Sequence, residues 1–157
     1  MEFRKMRRFR QELSADVCAD ILKREPRGVL AVSGDGGYPY AVPLNFVYDG
    51  GCLYFHCATE GHKLDAINRD GKASFCVLSQ KELSDDGWSY FFESVIAFGR
   101  VSTVTDEEKR TEKLRLLGNK YFPSAEITED ELRKNAARAL LLELKIEHMT
   151  GKRVHER

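Results

Sequence analysis

The sequence predicts a mainly β fold, an antiparallel barrel with helices at its periphery. Three observations lead there. Apolar runs of strand length recur along the chain, several with the alternation of a half-buried sheet strand. The early runs are joined by glycine-rich turns too short to hold the crossover that parallel pairing needs. Helical patterns fall before the strands, once after the hairpin, and in an insertion ahead of the last strand, so a doubly wound α/β sheet fits less well.

In chain order, Ser14 has the character of an N-cap for a helix over Ala15 to Arg24, with Val17, Cys18, Ile21 and Leu22 as its apolar stripe. Glu25-Pro26-Arg27-Gly28 ends it. Val29 to Ser33 reads as a buried strand, and Gly34-Asp35-Gly36-Gly37 turns the chain. The next strand holds Pro39 and Pro43, which donate no ladder hydrogen bond and place it at an edge, at a bulge or against a ligand. Asp49-Gly50-Gly51 makes a hairpin turn into Cys52 to Cys57. A short helix follows Lys63, then a strand over Ala73 to Leu78 and a polar loop to Ser89. Tyr90 to Val104 is a long strand in which Gly99 permits a bend or a close approach. Capping-box spacing at Thr105–Glu108 and again at Thr128–Glu131 predicts two helices, to about Tyr121 and Arg138. The final strand runs from Ala139 to Met149, making about six strands.

The 157 residues suit one domain, 1–157, with a basic arm at 1–13 and a charged tail at 153–157. Such a chain buries about two thirds of its unfolded surface and needs no staples. Twenty-five basic residues balance twenty-five acidic ones, which argues against a nucleic-acid partner. Arg4, Lys5, Arg7, Arg8 and Arg10 read as a solvated or partner-docking terminus. No apolar run follows them as in a signal peptide, and no stretch approaches a membrane span, so the expected compartment is the cytoplasm. Cys18, Cys52, Cys57 and Cys76 show no CxxC spacing and are expected to be reduced.

The chemistry concentrates between Tyr38 and Asp65. Cys52, His56, Cys57 and His62 invite a zinc reading, but strand parity points the two cysteines apart and no four-ligand spacing exists, so no metal is expected. Parity also separates His56 from Cys57, which removes a cysteine nucleophile with a histidine base. Ser94 lies in no nucleophile-elbow pattern. Phosphate binding fits better: Thr59 offers a hydroxyl, Gly61 lets backbone approach, and Lys63 stands in the first turn of a helix. A solvated helix start is the alternative, and Glu60 counts against a dianion. His56 is either a satisfied strand histidine or a group beside that loop. No GxGxxG or Walker pattern is present.

The series MRRFRQELS, GGYPYAVPLNFVYDGG, LYFHCATEGHKLDAI, ASFCV, FESVIAFGRV and EHMTGK resembles the nitroimidazole-resistance (Nim) proteins of the pyridoxamine-phosphate-oxidase-like, FMN-binding split-barrel group. The resemblance runs from about Met6 to Lys152. It implies a six-stranded split barrel and a homodimer with FMN at the subunit interface. Lys63 would bind the phosphate; His56, Cys57, Ala58, Thr59, Gly61 and His62 would line the cofactor. Pro43, Leu44 and Asn45 would pass along the isoalloxazine ring, with Ser94 and Val95 from the long strand and Lys152 reaching in from the C-terminal end. Many relatives have arginine where this chain has His62, which exchanges a fixed charge for a titratable one.

The reading that results is an FMN-dependent oxidoreductase that reduces a small acceptor, such as a nitro-aromatic, with a nicotinamide or another donor supplying electrons and His56 as proton donor near the ring. A flavin- or haem-binding module without turnover is the competing class. A pyridoxamine-phosphate oxidase ranks behind both, because no second basic cluster marks a second phosphate site.

Overall fold

The computed structural model describes residues 2–79, 82–83 and 85–156. A two-residue strand, β1 (Glu12–Leu13), precedes α1 (Ala15–Arg24), whose N-cap Ser14 accepts from the Val17 amide at 3.4 Å. Cys18, Ile21 and Leu22 of the expected stripe are buried, while Val17 faces solvent. β2 (Arg27–Ser33) and β3 (Pro39–Asn45) form a hairpin, and β3 lies at the sheet edge, where prolines leave no ladder bond unmade. β4 (Val47–Asp49) turns at Gly50 and Gly51, both at positive φ, into β5 (Cys52–Cys57). Then come α2 (His62–Arg69), β6 (Lys72–Leu78), β7 (Glu82–Leu83) and β8 (Tyr90–Thr103). Two helices, α3 (Glu107–Tyr121) and α4 (Ala125–Asn135), separate β8 from β9 (Leu140–Glu156).

Among the described residues, nine strands belong to one antiparallel sheet in the order β3-β2-β6-β8-β9-β5-β4, with β1 beside β9 and β7 beside β8. The ends of that order, β3 and β4, are consecutive in sequence with only Phe46 between them. Two Cα steps reach at most about 7 Å, so the sheet must curl until its edges approach there. The result is a half-barrel. Where six strands were expected, the described residues form nine. Two of the additions are two-residue pairings, and the third arises because the early hairpin strand divides at Phe46. Phe46 is fully buried, and its backbone leaves the ladder because the Tyr121 hydroxyl of α3 accepts its N–H (2.9 Å) and donates to its carbonyl (2.8 Å).

Both faces of the curl carry apolar layers. Inside, Leu30, Phe55, Phe75, Val95 and Leu144 pack with Ile21 and Leu22 of α1 and Leu64 and Ile67 of α2. Outside, α3 and α4 cover Tyr54, Leu141 and Val104. Lys113 of α3 reaches Asp49 at 2.9 Å, and Lys109 reaches Glu143. Among the described residues no helix covers the rest of the outer face. Pro43, Val29, Cys76, Ile96 and Thr150 form one register row across five strands, and Ala41, Ala31, Ser74 and Phe98 the next. Val29, Ile96 and Phe98 remain between 37% and 39% exposed. Phe3 from the N-terminal arm stacks on His148 at 4.6 Å, beside Phe98.

Several boundaries differ from the sequence reading. Asp106 caps α3 by accepting from the Lys109 amide (2.7 Å), so the cap is one residue later than Thr105. Ser124 caps α4 directly after the Phe122-Pro123 break, which leaves Thr128 buried inside the helix; α4 ends at Asn135, with a 3-10 turn after it. β9 continues past Met149, because β1 supplies partners through Lys152 and β8 through Glu156, so residues 153–156 extend the sheet. Gly99 meets its expectation. The β8–β9 register shifts there, and a Cβ would overlap the Lys145 carbonyl oxygen. Among the described residues no helix is long and apolar enough to cross a membrane.

Candidate functional site

β5 delivers its last inward residue, Cys57, to the core and then releases the chain into the exposed loop Ala58–Gly61. Gly61 stands at φ 126°, with nothing within 4 Å of where a Cβ would be. As N-cap of α2 it has no side chain to cap with, so the first amides of the helix face outward without an intrahelical acceptor. Leu64, Ala66 and Ile67 anchor α2 in the core and fix the direction of those amides. Lys63 is half-buried beside Cys57; burial pushes the Cys57 thiol up, and the Lys63 charge pulls it partly back. Outward amides, an open glycine and a lysine together fit a phosphate monoester such as the terminus of a flavin nucleotide. Thr59 is exposed on the same loop.

His62 turns another way. Its Nε2 lies 3.5 Å from Asp35, and its ring stacks on Tyr40 at 4.2 Å. Asp35 is itself fixed by Arg69 at 2.7 Å, a hydrogen bond that holds its carboxyl below the usual carboxylate range. The sequence reading placed His62 beside the cofactor and did not single out Asp35, which lies 27 positions earlier.

The remaining candidates divide by strand parity. Pro43 and Asn45 point outward from β3, whereas Leu44 packs inward on the core. Ser94 is buried and lies opposite Lys152 in the β8–β9 register, bringing together two residues 58 positions apart. Val95 is fully buried among core side chains, so only its backbone can face a ligand. His56 is exposed on the face opposite Cys57, the separation parity requires. It shares a cavity of about 230 Å³ with Asn45, roofed by Leu114, Leu117, Tyr121, Leu132 and Ala136 of the helical insertion. The curl thus joins two predicted residues from strands near opposite ends of the sheet order. The insertion's contribution had no sequence signal beyond ordinary helix patterning.

A second cavity, of about 430 Å³, was not anticipated. It lies between the end of α1 and the β8–β9 ribbon, where Glu93 bridges Arg24 (3.3 Å) and Arg153 (2.8 Å). Cys52 and Cys57 belong to different apolar layers, and among the described residues no group of three or more His, Cys, Asp or Glu side chains is placed to hold a metal ion.

A family model described as pyridoxamine 5'-phosphate oxidase matches residues 14–153, which takes in every strand that positions these residues. The chain belongs to that family. Among solved structures of similar fold is a candidate 5-nitroimidazole antibiotic resistance protein from Bacteroides thetaiotaomicron. It is 21% identical with a TM-score of 0.79, and the match covers 92% of this chain and 87% of that one. The FAD and heme binding protein from Mycobacterium smegmatis is 26% identical with a TM-score of 0.73, covering 90% and 72%. A FAD-binding protein from Mesorhizobium loti is 24% identical with a TM-score of 0.68, covering 92% and 97%. No curated protein sequence matches the chain at a significant level. The pyridoxamine-phosphate-oxidase-like fold is thus shared with proteins described as FAD-binding.

Proposed function

We propose that the protein is an FMN-binding oxidoreductase that reduces small acceptors such as nitro-aromatic compounds, with a nicotinamide as electron donor. The observation that carries the reading is the phosphate-ready start of α2, where Gly61 and Lys63 follow directly on the strand bearing His56. A bound flavin supplies the hydride chemistry. The protein's part is to hold the phosphate at Lys63 and the α2 amides, to offer backbone along Leu44 and Val95, and to keep His56 at the exposed end of β5, where its imidazole can give a proton to a reduced acceptor. A homodimer with flavin between the subunits is part of the proposal. The helix-free outer rows through Val29, Cys76 and Ile96 are apolar, half-exposed and next to Ser94 and Lys152, which supports a second copy there.

The test is a visible spectrum of purified protein incubated with FMN and, separately, with FAD, followed by gel filtration. Flavin absorbance co-eluting with protein at the mass of a dimer is the expected result. Colourless protein after both incubations would sink the reading. The second reading, a cofactor-holding module without turnover, draws support from the FAD and heme binding relative of Mycobacterium smegmatis. Bound flavin that no nicotinamide reduces and no acceptor reoxidises in steady state would favour it.

A further inference from the structure

The two ends of α2 converge on one carboxylate in a turn of another hairpin. His62 opens the helix and Arg69 closes it seven positions later, so both side chains leave the same helical face. Asp35 Oδ1 accepts from an Arg69 nitrogen at 2.7 Å, and Oδ2 lies 3.5 Å from His62 Nε2. A second Arg69 nitrogen donates to the Ser33 carbonyl at 3.2 Å. Asp35 is set in the β2–β3 turn, where the Gly34 amide donates to the Tyr38 carbonyl (2.9 Å) and the Tyr38 amide to that of Asp35 (3.1 Å). The His62 ring also stacks on Tyr40 of β3 at 4.2 Å. We infer that Asp35 is a positioning residue for the phosphate loop: it braces α2 at both ends and, through His62, orders the amides that receive the phosphate. The inference rests on the phosphate reading of α2 and adds to it residues from a different hairpin.

The helix start needs a brace because its cap supplies none. Gly61 has no side chain to cap with, and glycine loses more conformational freedom on being fixed than any other residue. Its carbonyl takes the Leu64 and Asp65 amides at 2.9 and 3.2 Å. Among the described residues the His62 and Lys63 amides have no hydrogen-bond partner, so they are the donors open to an anion. Leu64, Ala66 and Ile67 hold the buried face of α2, while His62 and Arg69 hold the exposed one. Exposed ion pairs add little to global stability, and Asp35, His62 and Arg69 are all exposed. The effect of the brace is therefore local: the first turn is ordered before the anion arrives, which spares an ordering cost on binding. Coulomb's law by itself gives the opposite sign. A carboxylate beside an anion site repels the anion, so its removal tightens binding if charge is all it contributes and loosens binding if it acts as a brace.

The experiment titrates flavin-free full-length protein with FMN and with riboflavin, which has the same ring and no phosphate, by fluorescence quenching. Asp35→Ala should weaken FMN roughly fivefold and riboflavin by less than about twofold, with circular dichroism and the urea midpoint unchanged. Unchanged or tighter FMN binding, or an equal loss of both ligands, would overturn the assignment. In a His62→Phe background, which keeps a ring against Tyr40, Asp35→Ala should cost less than about twofold, because its route to the loop is already cut. The full loss in that background refutes the route through His62. Amide exchange followed by NMR gives a reading without flavin. The Leu64 and Asp65 amides should exchange roughly tenfold faster in Asp35→Ala, and equal rates refute the brace. Should that variant lose its circular dichroism, Asp35→Asn, which keeps one acceptor oxygen of the two, replaces it in every measurement. A protein that binds neither flavin defeats the function proposed above, yet the exchange rates still decide the brace.

Discussion

Lys63 and Lys120 both stand beside helix-terminal backbone, in opposite electrostatic settings. Lys63 adds a cation where the N-terminal amides of α2 already favour an anion. A charge-assisted hydrogen bond there is worth about 1.5–3 kcal/mol, so Lys63→Ala should weaken FMN binding roughly ten- to a hundredfold by fluorescence titration, with circular dichroism unchanged. Equal affinity in the variant would move the phosphate elsewhere. Lys120 reaches carbonyls at the end of α1, 3.4 Å from Leu22 and 2.7 Å from Glu25, with its ammonium 4.1 Å above the Phe46 ring. Burial lowers its pKa from 10.5 to about 8, against the opposing pull of Glu25. Between those two values the unfolded chain keeps the proton and the folded protein releases it. Stability from this group therefore rises with pH across that window and is at its lowest below it. Urea midpoints measured from pH 8 to pH 10 should show the wild type gaining on Lys120→Met, and parallel curves would contradict the assignment. Lys63 is legible from sequence because glycine, lysine and helix start are neighbours. Lys120 is not, since its partners lie 95 and 98 positions away.

Elements with local signals are the ones the sequence discloses. α1 carries cap, stripe and stop in one continuous stretch from Ser14 to Gly28, and the structure follows them. The insertion is harder, since overlapping runs of Thr, Asp, Ser and Glu offer several caps of nearly equal quality, and packing against the sheet selects Asp106 and Ser124. What α3 contributes is equally non-local: Tyr121 closes the one-residue link between the two edges of the sheet. Tyr121→Phe keeps the ring and removes the acceptor of the Phe46 amide and the single hydroxyl hydrogen that the Phe46 and Pro26 carbonyls share, so the urea midpoint should fall by an amount equivalent to about 1–3 kcal/mol. A smaller change would mean water replaces the hydroxyl. His56 and Asn45 were singled out separately, but their meeting depends on that curl, which no periodicity in either strand encodes.

At the scale of the molecule, the predicted class holds because alternation and tight turns determine antiparallel pairing. The number of strands and the ends of β9 do not follow, because two-residue pairings and an extended ribbon depend on what lies alongside. The helix-free face gives a direct test of assembly. Ile96 stands mid-row at 39% exposure, so Ile96→Asp should leave the fold intact by circular dichroism and lower the solution mass to that of one chain. A dimer that survives would place the interface elsewhere. One topological fact also bears on how the protein is made. Of the strands described, β9 is the latest in chain order, yet it lies between β8 and β5. Until residues 140–156 emerge, the nascent chain holds two separate ribbons, each with an unpaired edge facing the other, and neither has the long partner that stabilises it. A fragment ending at residue 139 should accordingly be insoluble or bound to chaperones, whereas one ending at residue 156 should fold. Closure of the half-barrel therefore waits on β9, and any interruption of synthesis within it leaves two ribbons with open edges.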